Sequence, residues 1–296
     1  MIIQRLSEPG LEGTFACSDD NGIFPGVLAL GGSEGGVPSV YLDLLVPEGF
    51  ACLALAYCGT KDTQTTLVEV PLERVERGLR WLIAHSKVAT HDGRVALIGA
   101  SKGGELALLV AATFPDLVGP VVAYTPSSVV WAGIDFSVRG GVNRSSWSFA
   151  DAPLPFVPYP GGVGAASSAR GLSVLPIYDV GLDNAGAVER AAIAVERATG
   201  PLMLVSGGDD RMWPAARMCG MVVDRMRRHG RGGAVTHVNH PEAGHVLFPY
   251  RNISPSGFTS PMAFDLGGSP EAAAAAHRSV WPQVVKHLQS ARRCDS

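Results

Sequence analysis

The stretch Val95-Ala-Leu-Ile-Gly-Ala-Ser101-Lys-Gly-Gly-Glu-Leu-Ala-Leu108 changes character in its middle: an apolar run of strand type, then G-x-S-x-G, then a helix-forming segment. In a chain with 36 glycines that pentapeptide arises readily by chance, but a strand before it and a helix after it give it meaning. Gly99 and Gly103 leave room for a turn tight enough to project the Ser101 hydroxyl at the top of a sheet. The helix opening at Lys102 points its positive end at the same place. The stretch therefore reads as a nucleophile on a sheet, and its flanks should supply the other strands.

They do so in alternation. Gly26 to Leu30, Phe50 to Tyr57, Arg94 to Gly99, Val118 to Tyr124, Pro201 to Ser206 and Val235 to Val238 read as strands. The first of these are dense in Val, Leu and Ala, as strands buried on both faces are. Helices are expected over Ser39 to Glu48, from Pro71, over Lys102 to Phe114, Asp183 to Glu196, Pro214 to Arg228 and Glu271 to Arg292, with a kink or break at Pro282. Such alternation predicts an α/β fold, a mostly parallel central sheet with helices on both faces. Between Thr125 and about Pro176 the pattern lapses into Pro, Gly and Ser around Trp131, Phe136, Trp147, Phe149, Phe156 and Tyr159. A loop this long is usually functional, and its aromatics suit a lid over an apolar pocket better than a linker. The lid insertion is placed at about 125–180, with Trp131, Trp147, Phe149 and Phe156 lining the pocket.

Composition excludes several classes of function. The 296 residues are 46% apolar and 17% charged, too hydrophobic for disorder. A formal charge of -3 supplies no attraction to nucleic acid or an anionic membrane surface. The longest apolar run is far short of a membrane span, and Met1 to Gly10 lacks the hydrophobic region of a secretory signal, so a cytoplasmic location is expected. Cys17, Cys52, Cys58, Cys219 and Cys294 show no C-x-x-C spacing and read as free thiols.

A serine hydroxyl needs a base, and the base an acid to orient it; on this kind of sheet the chain order is Ser, then Asp or Glu, then His. After the Pro201 to Ser206 strand comes Gly-Gly-Asp209-Asp210-Arg-Met-Trp-Pro, from which Asp210 is taken as the acid and Asp209 as a turn or helix-capping residue. His245, in the loop after the last strand, is the expected base, with His240 as its competitor. His237, His240 and His245 lack a recurring ligand spacing, so no metal is expected. The loop Leu30-Gly-Gly-Ser33-Glu-Gly-Gly36 lets backbone N–H groups approach a substrate, and the Ser33 and Lys102 N–H groups are the expected oxyanion donors. It lacks the phosphate-binding G-x-x-x-x-G-K-[ST] pattern. Ten glycines border these residues, which explains much of the glycine content as close backbone approach.

Beyond single motifs, the chain resembles the C-terminal catalytic domain of acyl-CoA thioesterases and bile-acid-CoA:amino-acid N-acyltransferase, a dienelactone-hydrolase-like group. The resemblance rests on Pro25-Gly-Val-Leu-Ala-Leu-Gly-Gly-Ser-Glu-Gly-Gly36, Ile98-Gly-Ala-Ser-Lys-Gly-Gly-Glu105, Ser145-Ser-Trp-Ser-Phe149, Pro153-Leu-Pro-Phe-Val-Pro158, Ser206-Gly-Gly-Asp-Asp210, Ala243-Gly-His245 and Gly267-Gly-Ser-Pro-Glu-Ala272, in that order. It implies one α/β-hydrolase domain over 1–296, with 1–24 as a short hairpin, and an acyl-enzyme mechanism using Ser101, Asp210 and His245 without a cofactor. Longer members carry an N-terminal β-sandwich, for which the 24 residues before Pro25 leave no room. The N-acyltransferase branch uses cysteine where this chain has Ser101, which favours hydrolysis over transfer. The expected activity is hydrolysis of acyl thioesters or esters, CoA-linked or carrier-protein-linked. Acyl transfer or cyclisation onto an amine or hydroxyl is the alternative, and a non-catalytic binding module the lesser one.

Overall fold

The computed structural model describes residues 1–138, 141–247 and 264–290. Its main sheet is built from β1 (Ile2–Glu8), β2 (Leu11–Cys17), β3 (Phe24–Leu30), β4 (Ala51–Ala56), β5 (Val95–Ala100), β6 (Val118–Tyr124), β7 (Leu202–Gly207) and β8 (Val235–His240). The order is β1-β2-β4-β3-β5-β6-β7-β8, with Val88–Ala89 added beside the start of β3. From β4 to β8 every pairing is parallel; β1 and β2 form an antiparallel hairpin that extends one edge.

The all-apolar strands are buried on both faces because their side chains alternate. In β3, Leu28 and Leu30 enter one core layer while Val27 and Ala29 enter the other; in β4, Leu53 and Leu55 oppose Cys52 and Ala54 in the same way. The first layer is covered by α2 (Glu73–Ala84), α3 (Lys102–Thr113) and α6 (Ala215–Arg228), the second by α1 (Val40–Leu45) and α7 (Pro270–Gln289). Cys17, Cys52, Cys58 and Cys219 are buried free thiols; Cys294 lies outside the described residues. Among the described residues no helix is long and apolar enough to cross a membrane.

Four expectations need correction. The helix expected over Asp183 to Glu196 is divided: α4 (Leu175–Leu182) precedes it, α5 (Ala185–Ala191) begins where the Asn184 side chain accepts from the Ala187 N–H, and a short 3-10 turn covers Val195–Arg197. The helix placed at Pro71 starts at Glu73, because Val70–Pro71 pairs with Trp147–Ser148. Helix α7 runs through Pro282 without a break. A proline there removes one donor, and Val280, Val284 and Leu288 remain buried against the sheet on the same face. The segment expected to form an irregular lid also carries regular structure: Trp147–Phe149 pairs with Ala152–Pro153, and Ala166–Ser168 with Gly171–Ser173.

Candidate active site

β5 ends at Ala100, α3 starts at Lys102, and Ser101 between them takes a left-handed backbone, φ 57° and ψ −121°. A non-glycine residue there is strained by about 1–3 kcal/mol and persists only because its surroundings hold it. Neighbouring glycines make that possible by approach: a Cβ on Gly99 would overlap the Gly103 carbonyl, and one on Gly103 would overlap the Gly31 carbonyl. The first turn of α3 thereby rests directly on the end of β3.

The Ser101 Oγ lies 2.9 Å from His245 Nε2, and His245 Nδ1 lies 2.8 Å from Asp210 Oδ2. The other Asp210 oxygen accepts the backbone N–H groups of Met212 (2.8 Å) and Trp213 (3.2 Å), so both oxygens of the buried carboxylate are engaged and its orientation is fixed. Since a carboxylate only accepts, His245 donates from Nδ1 and turns the lone pair of Nε2 toward the serine hydroxyl. The His245 loop is clamped in turn, with the His245 backbone N–H donating to the Leu266 carbonyl at 2.7 Å.

Asp209 faces elsewhere. It bonds Arg211 Nε (2.8 Å) and the Gly268 N–H (2.9 Å), with Arg170 3.6 Å away. Burial pushes its carboxyl up, but the Gly268 N–H and the two guanidinium groups outweigh that and hold it below the usual carboxylate range. His240 closes β8, and the imidazole that reaches Ser101 belongs to His245. His237 Nε2 bonds the Ser206 hydroxyl at 2.8 Å. Among the described residues no three His, Cys, Asp or Glu side chains converge as metal ligands.

The loop after β3 is held from behind. The Tyr57 hydroxyl contacts the carbonyls of Gly31, at 2.8 Å, and of Gly32. In a trans peptide the N–H points opposite to the carbonyl, so the Ser33 N–H faces away from Tyr57. The Gly32 N–H is occupied by Glu34 Oε1 at 2.9 Å. As the first residue of α3, Lys102 has an N–H with no intrahelical acceptor.

The lid aromatics are placed differently from expectation. Trp131 and Trp147 are wholly buried in the fold: Trp131 Nε1 donates to the Ser127 hydroxyl (2.9 Å) and Trp147 Nε1 to Glu105 (2.7 Å). Phe149 is 37% exposed and packs edge-on against Phe114, at the far end of α3 from Ser101. At 1.5 Å per residue that is about 18 Å along the helix, too distant for a wall beside the serine. Phe156 packs against the core layer under α2 and α3. The two tryptophans fasten this segment to the body by burying their rings in it. Composition marked them as aromatic without giving their direction. Glu105, Tyr57 and Trp213 escaped the sequence reading; the signal available for Glu105 was a charged pair, Lys102 and Glu105, opening an otherwise apolar helix.

A mainly parallel sheet flanked by helices, with a serine, a histidine and an aspartate in a hydrogen-bonded line at its carboxyl edge, defines an α/β hydrolase. Solved structures share the fold: a putative dienelactone hydrolase from Klebsiella pneumoniae has a TM-score of 0.55 at 16% identity, covering 97% of this chain and 98% of its own. An esterase from Pyrobaculum calidifontis likewise gives 0.55 at 13% identity, covering 98% and 85%. Within that class, the chain belongs to the BAAT / acyl-CoA thioester hydrolase C-terminal family, whose model matches residues 70–292. Human acyl-coenzyme A thioesterase 2, mitochondrial, is 28% identical over 94% of this chain, and mouse acyl-coenzyme A amino acid N-acyltransferase 1 is 27% identical over 97%. The chain spans 55% of the first and 64% of the second.

Proposed function

We propose that the protein is a serine acyl hydrolase acting on acyl thioesters, acyl-CoA among them, or on related esters. The observation that carries this reading is the unbroken line from Ser101 Oγ through His245 to Asp210, at 2.9 and 2.8 Å. Ser101 Oγ bonds to the acyl carbon while its proton passes to His245 Nε2, and Asp210 stabilises the resulting imidazolium. The carbonyl oxygen takes up the electron pair and is met by the Ser33 and Lys102 N–H groups. As the carbonyl re-forms, the carbon–sulfur or carbon–oxygen bond breaks, and the leaving group departs with the proton from His245. Water then attacks the acyl-serine, gives one proton to His245 and releases the acid, and Ser101 recovers its proton.

A second reading, transfer of the acyl group to an amine, draws support from the relatives named as amino acid N-acyltransferases. Ser101 argues for water, because an oxyester intermediate undergoes aminolysis less readily than the thioester a cysteine would form. Intact mass spectrometry after mixing with an acyl-CoA tests both. Wild type should gain one acyl mass on Ser101 and Ser101→Ala none, with turnover falling by at least about 10³-fold. Equal turnover by the two proteins, or none by wild type, defeats the proposal; product formed only with an added amine selects transfer.

A further inference from the structure

Glu105 is the one carboxylate in α3, has no exposed surface, and takes no part in the proton path through His245. Its two oxygens each accept from Lys102 Nζ at 2.8 Å, and Oε1 also accepts from Trp147 Nε1 at 2.7 Å and from the Trp131 backbone N–H at 3.3 Å. Lys102, itself 2% exposed, lies with its ammonium 5.3 Å from the Trp147 ring centre. One carboxylate thus joins three places: the turn that carries Ser101, the entry of the lid at Trp131, and the lid strand at Trp147.

We propose that Glu105 is a positioning residue for acyl transfer, registering the lid against the turn that presents Ser101 and the Lys102 N–H. This rests on the reading of Ser101 as nucleophile. A buried ion pair is a poor way to stabilise a core, since desolvating both charges offsets their attraction and an apolar pair of similar size commonly serves as well. Burial indeed pushes the Lys102 ammonium down and the Glu105 carboxyl up from their ordinary ranges, each countered by the other. What leucine cannot supply is direction: two bonds that hold Trp131 and Trp147 at fixed positions relative to the first turn of α3.

The registration extends to the base. The Trp131 ring meets Tyr178 edge-on at 4.8 Å, Tyr178 meets Trp213 at 5.5 Å, and Trp213 meets His245 at 5.8 Å. The Trp213 backbone N–H also donates to Asp210. Glu105 therefore fixes the serine end of the site through Lys102 and supports the histidine end through packed rings.

Single substitutions would strand one buried charge, so the test compares two neutral pairs, Lys102→Met with Glu105→Gln and Lys102→Met with Glu105→Leu. The glutamine carbonyl still accepts from Trp131 and Trp147; leucine does not. Melting temperature, kcat and KM on an acyl-CoA, and the rate of Ser101 labelling by a small fluorophosphonate are measured on both. At similar melting temperatures, the leucine pair should show kcat about 10- to 100-fold below the glutamine pair, with KM alike and labelling slowed in parallel. Equal kcat in the two, or a loss of kcat that follows a loss of stability, overturns the proposal. If the leucine pair does not fold, Trp147→Phe removes one donor and keeps the bulk: reduced kcat at constant KM supports the proposal, and full kcat overturns it. Wild type that labels elsewhere than Ser101 defeats the nucleophile reading first.

Discussion

In the elbow, Val95 to Thr113, backbone packs on backbone: Gly103 sits against the Gly31 carbonyl, and the helix behind it is buried from Lys102 to Ala112. In the segment between Thr125 and Leu182, large side chains do the packing, with Trp131 and Trp147 sunk into the body and Phe136 left 73% exposed. The first arrangement tolerates no added atom. The second holds its place through rings and a few directed bonds. Two regions of one molecule therefore hold their places by different kinds of contact.

Several substitutions would break or sharpen that contrast. The largest effect is expected at Gly103→Ala, whose methyl must displace the β3 loop: about 3 kcal/mol of stability by urea titration and about 100-fold in kcat. A variant of wild-type stability and rate would mean the elbow is softer than its contacts imply. Next, Ser101→Gly should be more stable than Ser101→Ala by about 1 kcal/mol, since glycine accepts the left-handed backbone and alanine does not; matching melting curves would show that the turn carries no strain. Phe149→Ala should cost under about 1 kcal/mol and leave kcat/KM unchanged, as a half-exposed ring at the far end of α3 requires; altered acyl-chain preference would return it to the pocket.

The smallest effect concerns the outer clip between Glu69 and Arg144, whose guanidinium Nε bonds Glu69 at 3.0 Å. Hydrogen bonding to Arg144 holds the Glu69 carboxyl below its ordinary range. The folded form is thus the weaker proton binder, and the clip's contribution is complete above the unfolded pKa and lost as pH falls through the folded one. Arg144→Met should flatten that acid-side dependence only slightly, because the Arg144 side chain is largely exposed and solvent screens the pair. Identical acid titrations of the two proteins would show that the clip contributes nothing.

Which parts were legible in the sequence follows the same division. The strands could be read because both faces are buried and the runs are uniformly apolar, and the elbow because its glycines and serine are local in the chain. Ser101, Asp210 and His245 could be proposed together because each follows a strand whose end falls at one edge of the sheet. The orientation of the lid rings was not legible, since Trp147 meets Glu105 across 42 positions and no local pattern encodes such a pairing. The division of the helix before β7 at Asn184, and the continuity of α7 through Pro282, were decided by a side-chain cap and by burial, which outweighed composition.

The left-handed backbone at Ser101 also limits what evolution can place there. A β-branched side chain is disfavoured in that region by its second γ-substituent, so threonine would add strain there even though it carries the same hydroxyl group. Serine and cysteine, unbranched and differing by a single atom, remain interchangeable on one unchanged scaffold. The turn thus selects an unbranched side chain at position 101, where oxygen and sulfur fit the same backbone, and adds strain to a β-branched one.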